Sequence, residues 1–286
     1  MKADIQAFFD EQAFTVTYLV SDPLTRRAVI IDPVLDFDPK NARTATRSAD
    51  RVLAAMKQGG LTVDWVLETH AHADHLSAAF YLKSSTGAKI AIGEHIKDVQ
   101  KIFAPIFDAK DVKGDGAQFD RLLKDGEVLS VGGLAVKVMS TPGHTPGCVS
   151  YIVDDNAFVG DTLFMPDYGT ARTDFPGGSA HTLYHSIKRI LSLPLDTHLW
   201  MCHDYKPDGR DNYLWHSSVR EQREHNVHIH DGIAEDQFVA TRIARDKTLA
   251  APVLLLPSVQ VNIRGGQMPP KDANGQVYLR LPVDRL

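Results

Sequence analysis

The sequence predicts an α/β fold, an αββα sandwich in which two mixed β-sheets pack face to face with helices outside. Three observations predict it. Strand-like runs precede helix-like runs twice along the chain. The residues with metal-ligating chemistry follow predicted strands, where α/β sites form. The 286 residues, 43% hydrophobic and 23% charged, have the composition of a soluble globular chain with a substantial core. A single domain over 1–286 is expected, with a helical and strand-like C-terminal extension from about residue 214.

Residues 14–20 (FTVTYLV) and 28–31 (AVII) are β-branched and aromatic, and Asp22-Pro23 between them predicts a hairpin. Residues 36–48 are polar and read as a surface loop. Residues 49–58 place Val52, Leu53 and Met56 on one helical face before Gly59-Gly60. Residues 63–67 predict a buried strand, 75–85 a helix, 89–92 a strand and 96–103 a helix. Strands are expected over 128–131, 134–139, 149–153 and 157–159. Ser179 reads as the N-cap of a helix carrying Leu183, Ile187 and Ile190, and residues 199–201 as a last core strand. A helical pattern follows from Leu214 to about Thr248. The tail beyond it has strand-like pieces at 253–256 and 277–281, broken by Pro and Gly.

Lys+Arg 31 against Asp+Glu 36 gives a net charge of −5, so no basic excess marks a nucleic-acid or anionic-membrane binder. Cys148 and Cys202 could form one bridge at most, too few for a disulfide framework, and a reducing compartment is expected. The first fourteen residues lack the pattern of a signal or transit peptide. No apolar run approaches the ~20 residues that span a bilayer. The expectation is a cytoplasmic protein with no membrane attachment.

Thirteen histidines are the unusual number, because histidine is the commonest metal ligand. In Thr69-His70-Ala71-His72-Ala73-Asp74-His75, side chains at i and i+2 of an extended segment share a direction, so His70 and His72 can converge. Asp74 and His75 are expected to open the next helix and face the same cavity. His144 lies in Thr141-Pro142-Gly143-His144-Thr145-Pro146-Gly147, Asp161 follows Gly160, and Cys202-His203-Asp204-Tyr205 follows a strand. His225 and His228 are i, i+3 on the predicted helix, a spacing that suits a solvated face.

The set His70, His72, Asp74, His75, His144, Asp161 and His203 resembles the metallo-β-lactamase superfamily. In its dinuclear members the equivalents of His70, His72 and His144 hold one metal, those of Asp74, His75 and His203 the other, and that of Asp161 bridges. The surroundings of these residues are similar to a narrower group, the bacterial persulfide dioxygenases, above all Arg172-Thr173-Asp174-Phe175 followed by Pro176-Gly177-Gly178. That resemblance implies one Fe(II) per chain on His70, His144 and Asp161, a facial triad that leaves positions open for O2 and substrate. His72, Asp74, His75 and His203 would then orient ligands by hydrogen bonding. On ligand identity alone a dinuclear zinc site is equally compatible.

The reaction implied is oxidation of glutathione persulfide by O2 and water to glutathione and sulfite. Glutathione carries two carboxylates, and Arg172, better suited than a lysine to bidentate contact, is the candidate for one of them, with Tyr205 as a hydrogen-bonding neighbour. A dinuclear glutathione-thioester hydrolase of the glyoxalase II type is the alternative. Arg242-x-x-Arg245-Asp246 resembles its glutathione-binding helix, where the second basic residue is a Lys. A non-catalytic persulfide carrier or sensor is the second alternative. The partners expected are glutathione persulfide and O2, with a homodimer as the assembly.

Overall fold

The structure is a computed structural model and describes residues 2–285. The N-terminal half comprises β1 (Asp4–Asp10), β2 (Thr15–Ser21), β3 (Arg27–Ile31), β4 (Val34–Asp38), β5 (Arg43–Ala45), α1 (Arg47–Gly59), β6 (Thr62–Glu68), β7 (Leu76–Ser77), α2 (Ala79–Thr86), β8 (Lys89–Gly93), α3 (Ile96–Ile106) and β9 (Arg121–Leu123). The second half comprises β10 (Val128–Val131), β11 (Leu134–Ser140), β12 (Val149–Val153), β13 (Asn156–Phe158), α4 (Ala180–Ile190), β14 (His198–Trp200), β15 (His216–Ser218), α5 (Val219–His225), α6 (Glu235–Asp246) and α7 (Leu255–Asn262).

Two mixed six-stranded sheets result, in the orders β1-β2-β3-β6-β8-β9 and β10-β11-β12-β13-β14-β15. Alternation along each strand builds the layers. In β2, Val16, Tyr18 and Val20 point into the space between the sheets, whereas Leu19 packs outward beneath the helices. Val29 and Ile31 of β3 point inward, and Ala28 and Ile30 outward. The inner layer is completed by Val136, Val138, Tyr151 and Phe158 of the second sheet. Leu183, Ile187 and Ile190 of α4 and Phe238 of α6 cover its far face. The αββα sandwich is therefore present as expected. Ser179 caps α4 as predicted, its side chain accepting from Thr182 N.

Several local expectations are corrected. Residues 36–48 are mostly the β4–β5 hairpin, in which buried Asp36 accepts from Ser48 N at 3.1 Å. The helix expected from 75 starts at Ala79, because Leu76 and Ser77 pair with β4 and Ser77 N donates to Asn262 Oδ1 at 2.8 Å. Asp74 and His75 therefore sit in a loop and cap nothing. Strand β1 was not anticipated; all seven of its residues pair with β2. The pattern from 214 contains β15 before two separate helices. His228 lies beyond α5, so it shares no helix face with His225. The tail forms no strand among the described residues. Residues 253–256 run into α7, and at 280 the main chain exchanges hydrogen bonds with the Gln260 side-chain amide. Among the described residues, no helix is long and apolar enough to cross a membrane.

Candidate metal centre

Four loops at one end of the sandwich carry the seven residues: 69–75 after β6, 141–147 between β11 and β12, Gly160–Thr162 after β13, and 202–205 after β14. Two glycines let these loops close. A Cβ on Gly143 (φ +139°) would lie 2.4 Å from the Leu183 backbone, and one on Gly160 (φ +53°) 2.8 Å from Thr69 Oγ1.

His70 Nε2, His144 Nε2 and Asp161 Oδ2 face one another. The carboxylate oxygen is 3.7 Å from the first nitrogen and 3.6 Å from the second, and the three side chains form a donor set within 4.8 Å. Donors at about 2.1 Å from a shared ion stand only slightly closer than this. The other edge of each ring is tied down. Thr69 Oγ1 donates its one proton to Asp32 Oδ2 (2.8 Å), so His70 Nδ1–H donates to Thr69 Oγ1 at 3.0 Å. His144 Nδ1–H donates to the Arg172 carbonyl at 2.8 Å, and His203 Nδ1–H to that of Phe14 at 3.1 Å. Each ring thus turns a bare Nε2 lone pair inward, the tautomer that ligates metal. His70 Nε2, His75 Nε2, His203 Nε2 and Asp161 Oδ1 are buried without a hydrogen-bond partner. Orphaned buried polar atoms of this kind cost about 1–3 kcal/mol each, and a divalent cation on His70, His144 and Asp161 would satisfy His70 Nε2 among them.

Electrostatics agree. Burial, reinforced by His72 and His144, holds the His70 pKa well below its ordinary value, so the ring is neutral. His72 differs: burial opposes its charge, but the charge and hydrogen bond of Asp32, together with Cys202 and Glu68, raise its pKa well above the ordinary value. Its Nε2 stands 3.0 Å from Asp32 Oδ1 and 3.4 Å from Glu68 Oε2. Asp74, also opposed by burial, is driven well below the usual carboxylate range by His203 and His75. Its Oδ2 lies 3.1 Å from His75 Nδ1 and 3.5 Å from His203 Nε2. His72, Asp74 and His75 also form a donor set, as do His72, Cys202 and His203, but among the described residues no set unites His75 with His203.

A family model described as the metallo-beta-lactamase superfamily matches residues 12–197. The chain belongs to the metallo-beta-lactamase superfamily. Within it, the chain is 52% identical to a probable metallo-hydrolase of Burkholderia pseudomallei, over 99% of both chains. It is 48% identical to Glyoxylase B2 of Dictyostelium discoideum, over 100% of this chain and 98% of that one. It is 31% identical to the mitochondrial persulfide dioxygenase ETHE1 of Homo sapiens, over 93% and 90%. The crystal structure of ETHE1 from Myxococcus xanthus superposes with a TM-score of 0.74 at 30% identity, covering 92% of this chain and 100% of that one.

This superfamily centre opens into a cavity of about 1070 Å³ walled by the β4–β5 hairpin, residues 161–175 and residues 242–254. Both residues expected at the substrate line it. Tyr205 stacks on His203 with ring centroids 5.4 Å apart, and burial raises its phenol pKa well above the ordinary value. Arg172 grips Asp174 through Nε (2.6 Å) and Nη2 (2.8 Å), and the Ala250 carbonyl through Nη1 (2.7 Å). Two of its five N–H donors remain. Both cysteines are free and buried, and burial pushes the Cys148 thiol up to about 12.

Sequence reasoning missed the supports. Thr15 Oγ1 touches Asp74, His75 and His203. Asn262 Nδ2 donates to the carbonyls of His72 and His75, each at 2.8 Å, from a helix 190 residues further along the chain. Asp32, just past the strand predicted over 28–31, carries no local sign of its contact with His72. Arg242, read as part of a substrate-binding helix, is buried against Asp246 at 2.7 Å, while Arg245 stacks over Tyr168 at the cavity wall.

Proposed function

We propose that the chain is a persulfide dioxygenase that converts glutathione persulfide, O2 and water to glutathione, sulfite and two protons. One observation carries the reading. The donors of His70, His144 and Asp161 converge as one set, whereas in the neighbouring group, where His203 Nε2 lies 3.4 Å from Asp161 Oδ1 and 3.5 Å from Asp74 Oδ2, the Asp74 carboxylate is turned to the Nδ1 edge of His75. The likeness to two ETHE1 proteins supports it.

Iron(II) on these three residues would supply the oxygen chemistry and a seat for a soft sulfur. The protein's own groups do the rest. His144 and His70 are held neutral and aimed by their Nδ1 contacts. Phe164, Phe175 and Tyr205 make one wall of the cavity apolar and restrict water beside the sulfur. Lys40 and Arg43 on the hairpin and Arg245 opposite line the same cavity without a carboxylate partner among the described residues. With the remaining donors of Arg172 they offer fixed charge to the two glutathione carboxylates.

The dinuclear thioester hydrolase has specific support in the names of the Burkholderia and Dictyostelium relatives. Oxygen uptake with glutathione persulfide, run beside hydrolysis of a glutathione thioester on the same preparation, decides between them. Oxygen uptake with stoichiometric sulfite supports the dioxygenase. Thioester hydrolysis without it supports the hydrolase, and neither activity supports a carrier. We also propose a homodimer. Leu281 and Val283, 73% and 80% exposed on the tail, are the apolar side chains a second subunit would cover, and light scattering reads the mass.

A further inference from the structure

We propose that Thr15 limits the centre to one metal ion by locking Asp74, His75 and His203 into a hydrogen-bonded cluster. The proposal rests on the one-metal reading above, and it assigns the cause to a residue outside the seven ligand-type positions.

Thr15 opens β2, and Phe14 before it adopts φ +54°, an uncommon conformation for a bulky residue. Thr15 pairs with His203 in an isolated bridge. Its hydroxyl lies 3.1 Å from Asp74 Oδ2, 3.2 Å from His203 Nδ1 and 3.4 Å from His75 Nδ1, with the Ala13 carbonyl at 3.2 Å as a competing acceptor. The single hydroxyl proton favours the carboxylate, because charged acceptors bind more strongly. Asp74 Oδ2 therefore receives Thr15 O–H and also His75 Nδ1–H at 3.1 Å.

That placement matters for metal capacity. An oxygen bonded at Nδ1 is turned away from Nε2, and Nε2 is the bare nitrogen of His75. His72, Asp74 and His75 do form a donor set, but Oδ2 and the bare His75 Nε2 meet at one ion only if the Asp74 carboxylate swings across. Thr15 opposes that swing through its bond to Asp74, its oxygen lying beside the Nδ1 edges of both histidines. Valine keeps the shape of threonine and removes the proton, whereas serine keeps the proton.

Wild type, Thr15→Val and Thr15→Ser are equilibrated with excess zinc(II), desalted and assayed for metal per chain by mass spectrometry, with thermal melts to establish folding. The expected result is about one zinc in wild type and in Thr15→Ser, and a doubling to about two in Thr15→Val. Thr15→Ala replaces the valine variant should that protein fail to fold. One zinc in a folded valine or alanine variant, with one in wild type, overturns the role of Thr15 alone. Two in wild type overturn the one-metal reading itself.

Discussion

His144 Nδ1 donates to the main-chain carbonyl of Arg172 at 2.8 Å, so the loop that carries Arg172 aims a metal ligand. Helix α6 grips that loop on both sides of Arg172. Arg242 Nη1 donates to the Thr170 carbonyl at 2.8 Å, and Asp246 Oδ2 accepts from Thr173 N and Oγ1, each at 2.9 Å. The buried Arg242–Asp246 pair therefore positions His144 without touching it.

Asp246→Ala leaves Arg242 charged, buried and unpaired. The expected loss of stability is about 3–5 kcal/mol, seen in denaturant melts, together with weaker retention of metal at His144. Metal content unchanged from wild type after dialysis would show that the loop holds its place without the pair.

The layers of the sandwich were legible because strands such as β2 and β3 alternate cleanly, and all seven ligand-type residues stand in two local motifs or just after a strand. The supports were not. Asn262 and Asp246 lie far along the chain from the loops they hold, and nothing local distinguishes them from surface polar residues. The β4–β5 hairpin read as a loop because Asp36, Asp38 and Arg43 look solvated, although Asp36 is buried against Ser48. The helix after His75 started late because long-range pairing with β4 takes the backbone that local propensity would have used.

Substrate charge should be read at the cavity wall. Arg43→Ala and Arg245→Ala are each expected to raise KM about ten- to a hundredfold, the range of one charge-assisted contact, with kcat and iron content preserved. Arg172→Ala is expected to raise KM with iron retained. Steady-state kinetics at saturating O2, with metal assayed on the same sample, check all three.

Asn262→Ala removes the amide that satisfies the His72 and His75 carbonyls. Leaving these buried acceptors unpaired costs about 1–3 kcal/mol, measurable as a lower Tm of the metal-free protein.

His228 gives a pH dependence of known sign. Burial, with Arg242 and Arg245 nearby, lowers its pKa from 6.5 to about 4 in the folded chain. The unfolded chain takes up that proton first, so this contribution to stability is present above pH 6.5 and is lost as pH falls toward 4. Metal-free His228→Asn should lose less Tm than wild type between pH 7 and pH 5. Parallel losses would show that other groups dominate.

A single ion on His70, His144 and Asp161 underlies the proposed activity. Its most direct test is iron per chain, assayed with oxygen uptake on glutathione persulfide, in wild type, His70→Ala, Asp161→Ala and His203→Ala. About one iron and active uptake are expected in wild type, neither in the first two variants, and most of the iron retained in His203→Ala. Two tightly bound ions per chain, one of them lost with His203, would contradict it.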